Sequence, residues 1–367
     1  MKPYIYLKKS WPHFSWDNEV LLSTLGKVRN IQGRLIGKME SLGFELGNEA
    51  TLKILTQDVV KSSEIEGEIL NPEQVRSSVA RRLGLDISGL IASERNVDGM
   101  VEMMFDATRK YYKPLTSERL FGWHSSLFPI GRSGMSKIRV GEWRNDSRGP
   151  MQVVSGAMGH EKVHFQAPEA SRLKKEVKLF LDWVNKEEKL DPVIKAGIAH
   201  LWFVTIHPFD DGNGRIARAI ADMLLARSDG SLQRFYSMSA QITLERRDYY
   251  NILEETQKGS LDITNWLNWF LNCLINALND SDRTLAKVVH KSEFYKNPKT
   301  IGLNIRQKLI LNMLLDGFNG KLTSSKWAKI AKCSPDTALR DIQDLIIKGI
   351  LYKETSGGRS TNYELKE

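Results

Sequence analysis

The sequence predicts a mainly α-helical protein with one small β-hairpin ahead of a central loop and a winged helix-turn-helix at its C-terminal end. Three observations carry this prediction. Long segments place apolar residues at helical spacing, β-branched runs bounded by turn residues are short and few, and the region from Ile305 onward reads as three helices followed by two strands.

In chain order, Trp11-Pro12-His13-Phe14-Ser15-Trp16-Asp17 precedes helical patterning over Asn18 to Leu42 and Glu49 to Ser63. Gly149-Pro150-Met151-Gln152-Val153-Val154-Ser155-Gly156 is short, β-branched in its middle and bounded by turn residues, so it reads as one arm of a hairpin. Ile194 to Ile206 is an apolar helix without proline and with Gly197 as its one glycine; Arg215 to Ala226 is a second helix. The polar stretch from Asp280 to Asn304, with Asn297-Pro298, reads as a linker. Beyond it, helices are expected over Ile305 to Leu315, Ser324 to Ala331 and Pro335 to Ile347. Strands are expected over Ile350 to Thr355 and Asn362 to Lys366, joined by Gly357-Gly358-Arg359-Ser360. The resulting division is 1–112, a helical domain; 113–279, a core; 280–304, the linker; and 305–367, the winged helix.

Composition sets outer limits. At 367 residues and 41% hydrophobic content the chain is long enough for more than one sizeable core. It holds no apolar run near the roughly 20 residues of a membrane span, and Met1-Lys2-Pro3-Tyr4 lacks the features of a secretory signal. Two cysteines, Cys273 and Cys333, suit a reducing cytoplasm, and neither has a partner at metal-ligand spacing. His200 and His207 are too widely spaced for an H-x-x-x-H zinc pair. The net charge of +9 is spread along the chain and is weak evidence for nucleic acid.

The loop between the two central helices is the chemically dense part: His207-Pro208-Phe209-Asp210-Asp211-Gly212-Asn213-Gly214-Arg215-Ile216-Ala217-Arg218. Backbone N–H groups of Gly212, Asn213 and Gly214 can converge on an anion at a helix N-terminus, where a phosphate is favoured. Arg215 and Arg218 lie three apart on that helix's first turns, where guanidinium forks grip phosphate oxygens. Cations there oppose the helix dipole, which calls for a compensating anion. Asp211 offers a hard oxygen to Mg²⁺, which takes one or two carboxylates plus phosphate oxygens. His207 can accept a proton from an attacking hydroxyl. Gly212-Asn-Gly214-Arg-Ile-Ala217 also satisfies a dinucleotide pattern, but a helix rather than a strand precedes it, and no P-loop is present.

The twelve-residue run resembles, without a departure, the H-P-F-x-(D/E)-G-N-G-R-x-x-R signature of the Fic family, whose members mostly transfer AMP from ATP to a protein hydroxyl. The resemblance extends to Leu120 to Leu127 with His124, to Gly141-Glu142-Trp143-Arg144, to Ile194-Lys195-Ala196 leading to His200, and to Arg247-Asp248-Tyr249-Tyr250, covering roughly Thr116 to Cys273. It implies His207 as base and Asp211 as Mg²⁺ ligand, with Gly212, Asn213, Gly214 and Arg215 on the α- and β-phosphates and Arg218 on the γ-phosphate. It places Tyr250 and Leu253 by the adenine, and leaves Tyr249 equally readable as core. Gln152, Val153 and Val154 match the family's flap, whose edge docks an extended target segment by main-chain pairing. Ser62-Ser63-Glu64-Ile65-Glu66-Gly67 matches the family's inhibitory motif: Ser or Thr, three free positions, Glu, then Gly or Asn. The implied roles are Glu66 against Arg218, Ser62 one turn earlier and Gly67 as helix stop. Without the downstream motif, Glu64, Glu66 and Glu68 would read as a solvated acidic face.

The expectation is an autoinhibited protein adenylyltransferase using Mg²⁺ and ATP on a Tyr, Ser or Thr hydroxyl of a target protein or of itself. Another donor, or AMP removal, stays open. The competing class is a DNA-binding regulator that senses nucleotide, against which the intact base His207 argues. The second helix of the C-terminal helix-turn-helix offers Arg340 against Asp336, Asp341 and Asp344, which favours a protein-interaction or homodimerisation module over a DNA reader.

Overall fold

Helix α1 (Asn18–Glu40) begins at Asn18 because the Asp17 carboxylate accepts the Glu19 and Val20 N–H groups. Helix α2 (Phe44–Ile65) starts earlier than Glu49, the position read from the sequence. Gly47 looks like a stop, but glycine weakens a helix without forbidding it, and Thr51 Oγ1 donates back to the Gly47 carbonyl at 2.7 Å. The computed structural model describes residues 4–41, 44–85, 89–147, 149–156, 160, 162–186, 189–231, 235–318, 320–354 and 361–366. The chain divides into two compact units, Met1–Asp282 and Arg283–Glu367.

In the first unit, α2 packs on α3 (Pro72–Leu83), which is capped by Asn71 and opened by a proline at its first position. Next come α4 (Arg95–Arg109) and α5 (Ser117–Leu127), then two antiparallel hairpins, β1 (Arg132–Ser133) with β2 (Ser136–Lys137) and β3 (Gln152–Ser155) with β4 (Lys162–Gln166). Helix α6 (Ala170–Asn185) leads to the central pair, α7 (Pro192–Ile206) and α8 (Asn213–Asp229). Every residue of α7 from Val193 to Ile206 is buried, as expected of a helix apolar all round. It packs along α8 and against α6, while α8 also meets α4 and α5. Helices α9 (Met238–Leu244) and α10 (Arg246–Gln257) follow, α9 lying on α2, where Ser237 Oγ donates to the buried Asp58 carboxylate. Arg29 of α1 makes a two-point contact with Asp191, the cap of α7, at 3.1 and 2.8 Å. The rings of Trp11 and Phe14 stand edge-on to Trp202 of α7.

Helix α11 (Thr264–Lys296) corrects the sequence reading of a linker from Asp280. The stretch is polar but has no glycine or proline between Thr264 and Asn297, so the helix is not interrupted until Pro298. The boundary between the units falls inside it.

The second unit contains α12 (Ile305–Gly317), α13 (Ser324–Ile330), α14 (Pro335–Ile347) and a hairpin of β5 (Leu351–Lys353) with β6 (Tyr363–Leu365), in the register Leu351 to Leu365. Its core is Ile310, Leu311, Trp327, Ala338, Ile342, Leu345 and Leu351. Thr355 and the loop Gly357-Gly358-Arg359-Ser360 lie outside the described residues. Two of the carboxylates set against DNA in the sequence reading are engaged inside this unit: Asp341 binds Arg306 at 2.7 and 3.0 Å, and Asp344 accepts from Gln307 and Lys348. Their charge therefore says little about what α14 meets.

Among the described residues, no helix is long and apolar enough to cross a membrane.

Candidate active site

Helix α7 ends at His207, whose backbone is left-handed (φ 52°, ψ 59°), and Pro208 cannot continue the helix. His207 Nδ1 lies 3.2 Å from the Val204 carbonyl, an acceptor, so Nδ1 carries the proton and Nε2 keeps its lone pair. The ring is reachable from solvent on one side yet largely desolvated by the surrounding chain. That burial lowers its pKa from 6.5 to about 4, outweighing the Val204 carbonyl, which acts in the opposite sense. A neutral imidazole at neutral pH is the form that can take a proton.

The loop is held from behind. Phe209 is fully buried and stacks on His124 at 4.2 Å. The Gly141 N–H donates to His124 Nδ1, so His124 Nε2 carries hydrogen and donates to the Asp211 carbonyl, each at 3.2 Å. Burial lowers the His124 pKa to about 4, keeping it neutral. Arg144 Nε donates to the His207 carbonyl at 2.8 Å, and its backbone N–H donates to the Pro208 carbonyl at 2.9 Å. The Asn213 side chain accepts the Phe209 N–H and donates to the Phe209 carbonyl. Asn213 was expected in the anion cradle; the structure gives its side chain a buried, loop-closing position and leaves only its backbone N–H to face a ligand. His124 and Arg144 were visible in the sequence as flanking features, but their contacts depend on packing.

These depressed histidines make a testable statement about stability. For His207 and His124, with folded values about 4 against 6.5, and His200, pushed down to about 3 by burial and then by Arg218, the unfolded chain binds more protons between those limits. Their contribution is complete above pH 6.5 and is lost as pH falls toward 4. The denaturant midpoint of the free protein should therefore decline over that window; an unchanged midpoint would show that these rings are not desolvated.

Helix α8 begins at Asn213, two residues ahead of the sequence expectation, with Gly212 as its cap at φ 79° and no side-chain cap. The first N–H groups of a helix have no intrahelical acceptor, so those of Asn213, Gly214 and Arg215 are available to an anion. The Gly212 N–H, expected to join them, is donated instead to Asp211 Oδ1 at 2.6 Å, because that carboxylate folds back over its own loop. The other Asp211 oxygen accepts from Ser133 of β1. Among the described residues no three His, Cys, Asp or Glu side chains could jointly hold a metal. A single hard carboxylate beside an anion cradle does fit Mg²⁺ carried in on phosphate oxygens.

The end of α2 is inserted at this cradle. Arg218 is buried and uses three donors on it: Nη1 to Glu66 Oε1 at 2.7 Å, Nε to Ser62 Oγ at 3.0 Å and Nη2 to the Ser62 carbonyl at 2.8 Å. The Glu66 charge holds the Arg218 guanidinium in its charged form despite burial. A Cβ on Gly214 would lie 2.2 Å from Glu66 Oε1, so only glycine lets the carboxylate lie against the start of α8. Gly67, at φ 84°, makes the turn that presents Glu66. Two residues on, Glu68 Oε2 meets Arg215 Nη1 at 2.6 Å. The sequence reading gave Glu68 no role of its own; the structure pairs it with a motif arginine.

On α10, Tyr249 is buried with its hydroxyl 2.9 Å from His200 Nε2, and Leu253, one turn on, is buried on the same face. Tyr250 faces outward and donates to the Ile65 carbonyl at 3.3 Å, beside the Glu66-Gly67 turn. The β3 strand carries Gln152, Val153 and Val154, with a register irregularity between the two valines and Val154 47% exposed. Ser155 Oγ lies 2.6 Å from His164 Nε2, and His164 Nδ1 lies 2.6 Å from Glu254 of α10, tying this hairpin to that helix. The sequence reading missed His164 and Glu254, whose contact joins residues 90 apart in the chain.

A largely desolvated, neutral imidazole beside a helix N-terminus without a side-chain cap is an arrangement able to accept a proton next to a bound anion. Residues 114–225 match the Fic/DOC family, and residues 4–85 match a domain of unknown function, DUF4172. The protein adenylyltransferase Fic of Drosophila willistoni is 29% identical over 229 residues, covering 61% of this chain and 41% of that protein. This chain thus spans about two fifths of the length of such curated relatives. In fold it is similar to a Fic family protein from Desulfovibrio desulfuricans G20 (TM-score 0.56, 19% identity, 97% of this chain and 98% of the other). It is also similar to a Fic domain containing signaling protein from Bacteroides thetaiotaomicron VPI-5482 (TM-score 0.52, 23% identity, 71% and 97%).

Proposed function

We propose that this protein is an autoinhibited protein adenylyltransferase that moves AMP from Mg-ATP to a Tyr, Ser or Thr hydroxyl. The observation that carries the reading is the placement of the Glu66 carboxylate against both Arg218 and the start of α8, in the position an incoming phosphate would use. In the active state the α8 N-terminus and Arg215 hold the α- and β-phosphates, and Arg218 holds the γ-phosphate. Mg²⁺ bound through Asp211 would neutralise phosphate charge. The target hydroxyl loses its proton to His207 Nε2 as its oxygen bonds to the α-phosphorus, and the bond to the β-phosphate oxygen breaks, releasing pyrophosphate. The outer edge of β3 pairs with an extended target segment, placing the hydroxyl, and Tyr250 and Leu253 line the adenine side. The second unit is read as a winged helix that serves partner choice.

The test is incubation of the purified protein, and of a Glu66→Gly variant, with ATP labelled in its α-phosphate, alone and with cell lysate. Covalent label on the chain or on a lysate protein is expected, stronger for the variant. Label absent from both forms, with nucleotide binding intact, would refute AMP transfer.

A further inference from the structure

The turn after α2 carries two carboxylates, and the proposed autoinhibition uses one. Glu66 and Glu68 flank Gly67 and reach Arg218 and Arg215, which are themselves one turn apart on α8. Several observations mark the Glu68 contact as built. Its Oε2 lies 2.6 Å from Arg215 Nη1, and its Oε1 accepts from Asn96 Nδ2 of α4 at 3.3 Å, so both oxygens are held. Its backbone N–H donates to the Ser63 carbonyl at 3.1 Å, folding the turn back on the last residues of α2. The Arg215 guanidinium lies over the Phe128 ring at 5.0 Å, which limits where it can swing. Arg215 is only 6% exposed, and its Nε is buried with no hydrogen-bond partner among the described residues. A guanidinium of five donors that is shielded from water and leaves its Nε unmatched has capacity for a further acceptor, and a phosphate oxygen is the acceptor its position favours.

We infer that Glu68 is a second brake on this site, separate from Glu66: by holding Arg215 it sets how tightly the diphosphate part of a nucleotide binds. Glu66, at Arg218, governs the third phosphate. The inference rests on the reading of the loop as a nucleotide site and deepens it. The two carboxylates sit on one turn, so they are delivered together, but each faces its own arginine and each is displaced by a different part of the ligand. A nucleoside diphosphate meets Glu68 at Arg215 and only the edge of Glu66 at Gly214, whereas a triphosphate must also displace Glu66 from Arg218. Glu68 is 36% exposed at its side chain and Arg215 7%, so the contact is open to competition from solvent-borne anions without being bathed in water.

The experiment is calorimetric titration of the full chain with Mg-ADP and with Mg-ATP, in wild type, Glu68→Gln, Glu66→Gly and the double variant. Glu68→Gln is expected to tighten Mg-ADP and Mg-ATP by the same factor, about two- to five-fold, the scale of removing one partly exposed competing charge from an anion site. Glu66→Gly is expected to help Mg-ATP more than Mg-ADP, raising the preference for ATP over ADP, which Glu68→Gln leaves unchanged; the double variant should show both effects, coupled because the two carboxylates share one turn. Glu68→Ala, which removes the side chain's reach as well as its charge, should reproduce the glutamine result. Equal or weaker Mg-ADP binding in both Glu68 variants would overturn the inference and leave Glu68 as a strut that positions the turn, with the nucleotide site itself intact. If no form binds either nucleotide, the nucleotide-site reading falls and this inference falls with it.

Discussion

Replacing His207 with alanine is expected to lower AMP transfer by about 10²- to 10⁴-fold, the usual worth of a general base, while Mg-ATP binding persists. The separation is expected because the loop does not depend on the imidazole. Its carbonyl is held by Arg144, Phe209 is anchored in the core, and Asn213 closes the turn; the imidazole's hydrogen bond among the described residues is to Val204. The proposed phosphate cradle belongs to α8, beyond the residue that changes. The comparison is best made in a Glu66→Gly background, where the rate is high enough to measure the fall, with nucleotide affinity titrated in parallel. Transfer at the parental rate would remove His207 from the chemistry. Loss of transfer together with loss of nucleotide binding would instead mean that the loop had collapsed.

The second large effect has the opposite sign: Glu66→Gly should accelerate AMP transfer by about ten-fold or more, since 1.4 kcal/mol of competition is already a factor of ten. The Glu66–Arg218 pair lies between the exposed and buried limits, with its carboxylate 31% exposed and its guanidinium 1% exposed at the side chains. Breaking a fully buried pair costs about 3 to 5 kcal/mol. Here Ser62 still accepts two of the Arg218 hydrogen bonds, so the variant should lose less than that. The γ-phosphate restores the missing charge, and a ligand at 100 times its Kd stabilises by about 2.7 kcal/mol. Mg-ATP should therefore raise the melting temperature of Glu66→Gly by more than that of wild type. A Glu66→Gly/Arg218→Ala double variant should show no activation, because it loses the phosphate ligand with the brake. Equal transfer by wild type and Glu66→Gly would return Glu66 to the status of an ordinary helix-end charge.

How much of this was legible in the chain depended on how local the cause was. Helix α14 has the bounds read from the sequence because Ser334 caps it, Pro335 opens it and the apolar spacing runs uninterrupted to Ile347. The ends of α7 and α8 around the loop were close for the same reason, since Pro208 and Gly212 stop and start helices through their own backbone geometry. The stretch from Asp280 to Lys296 is helical rather than a linker because polar composition does not make a backbone irregular and no helix breaker falls within it.

By itself, the sequence determined the mainly helical class, the loop between two buried helices, and the residue types able to bind phosphate and accept a proton. Through the family resemblance it also named Glu66 and Arg218 together, which the structure places 2.7 Å apart across 152 positions of chain. Tertiary structure alone decided that Asn213 turns its side chain inward, that Tyr249 is interior while Tyr250 faces the turn after α2, and that Glu68 meets Arg215 across 147 positions. Caps, turns and helical period are set by neighbours a few residues away, which the sequence displays. The partner of a charge is set by which helices pack side by side, and that follows from the burial of the whole core.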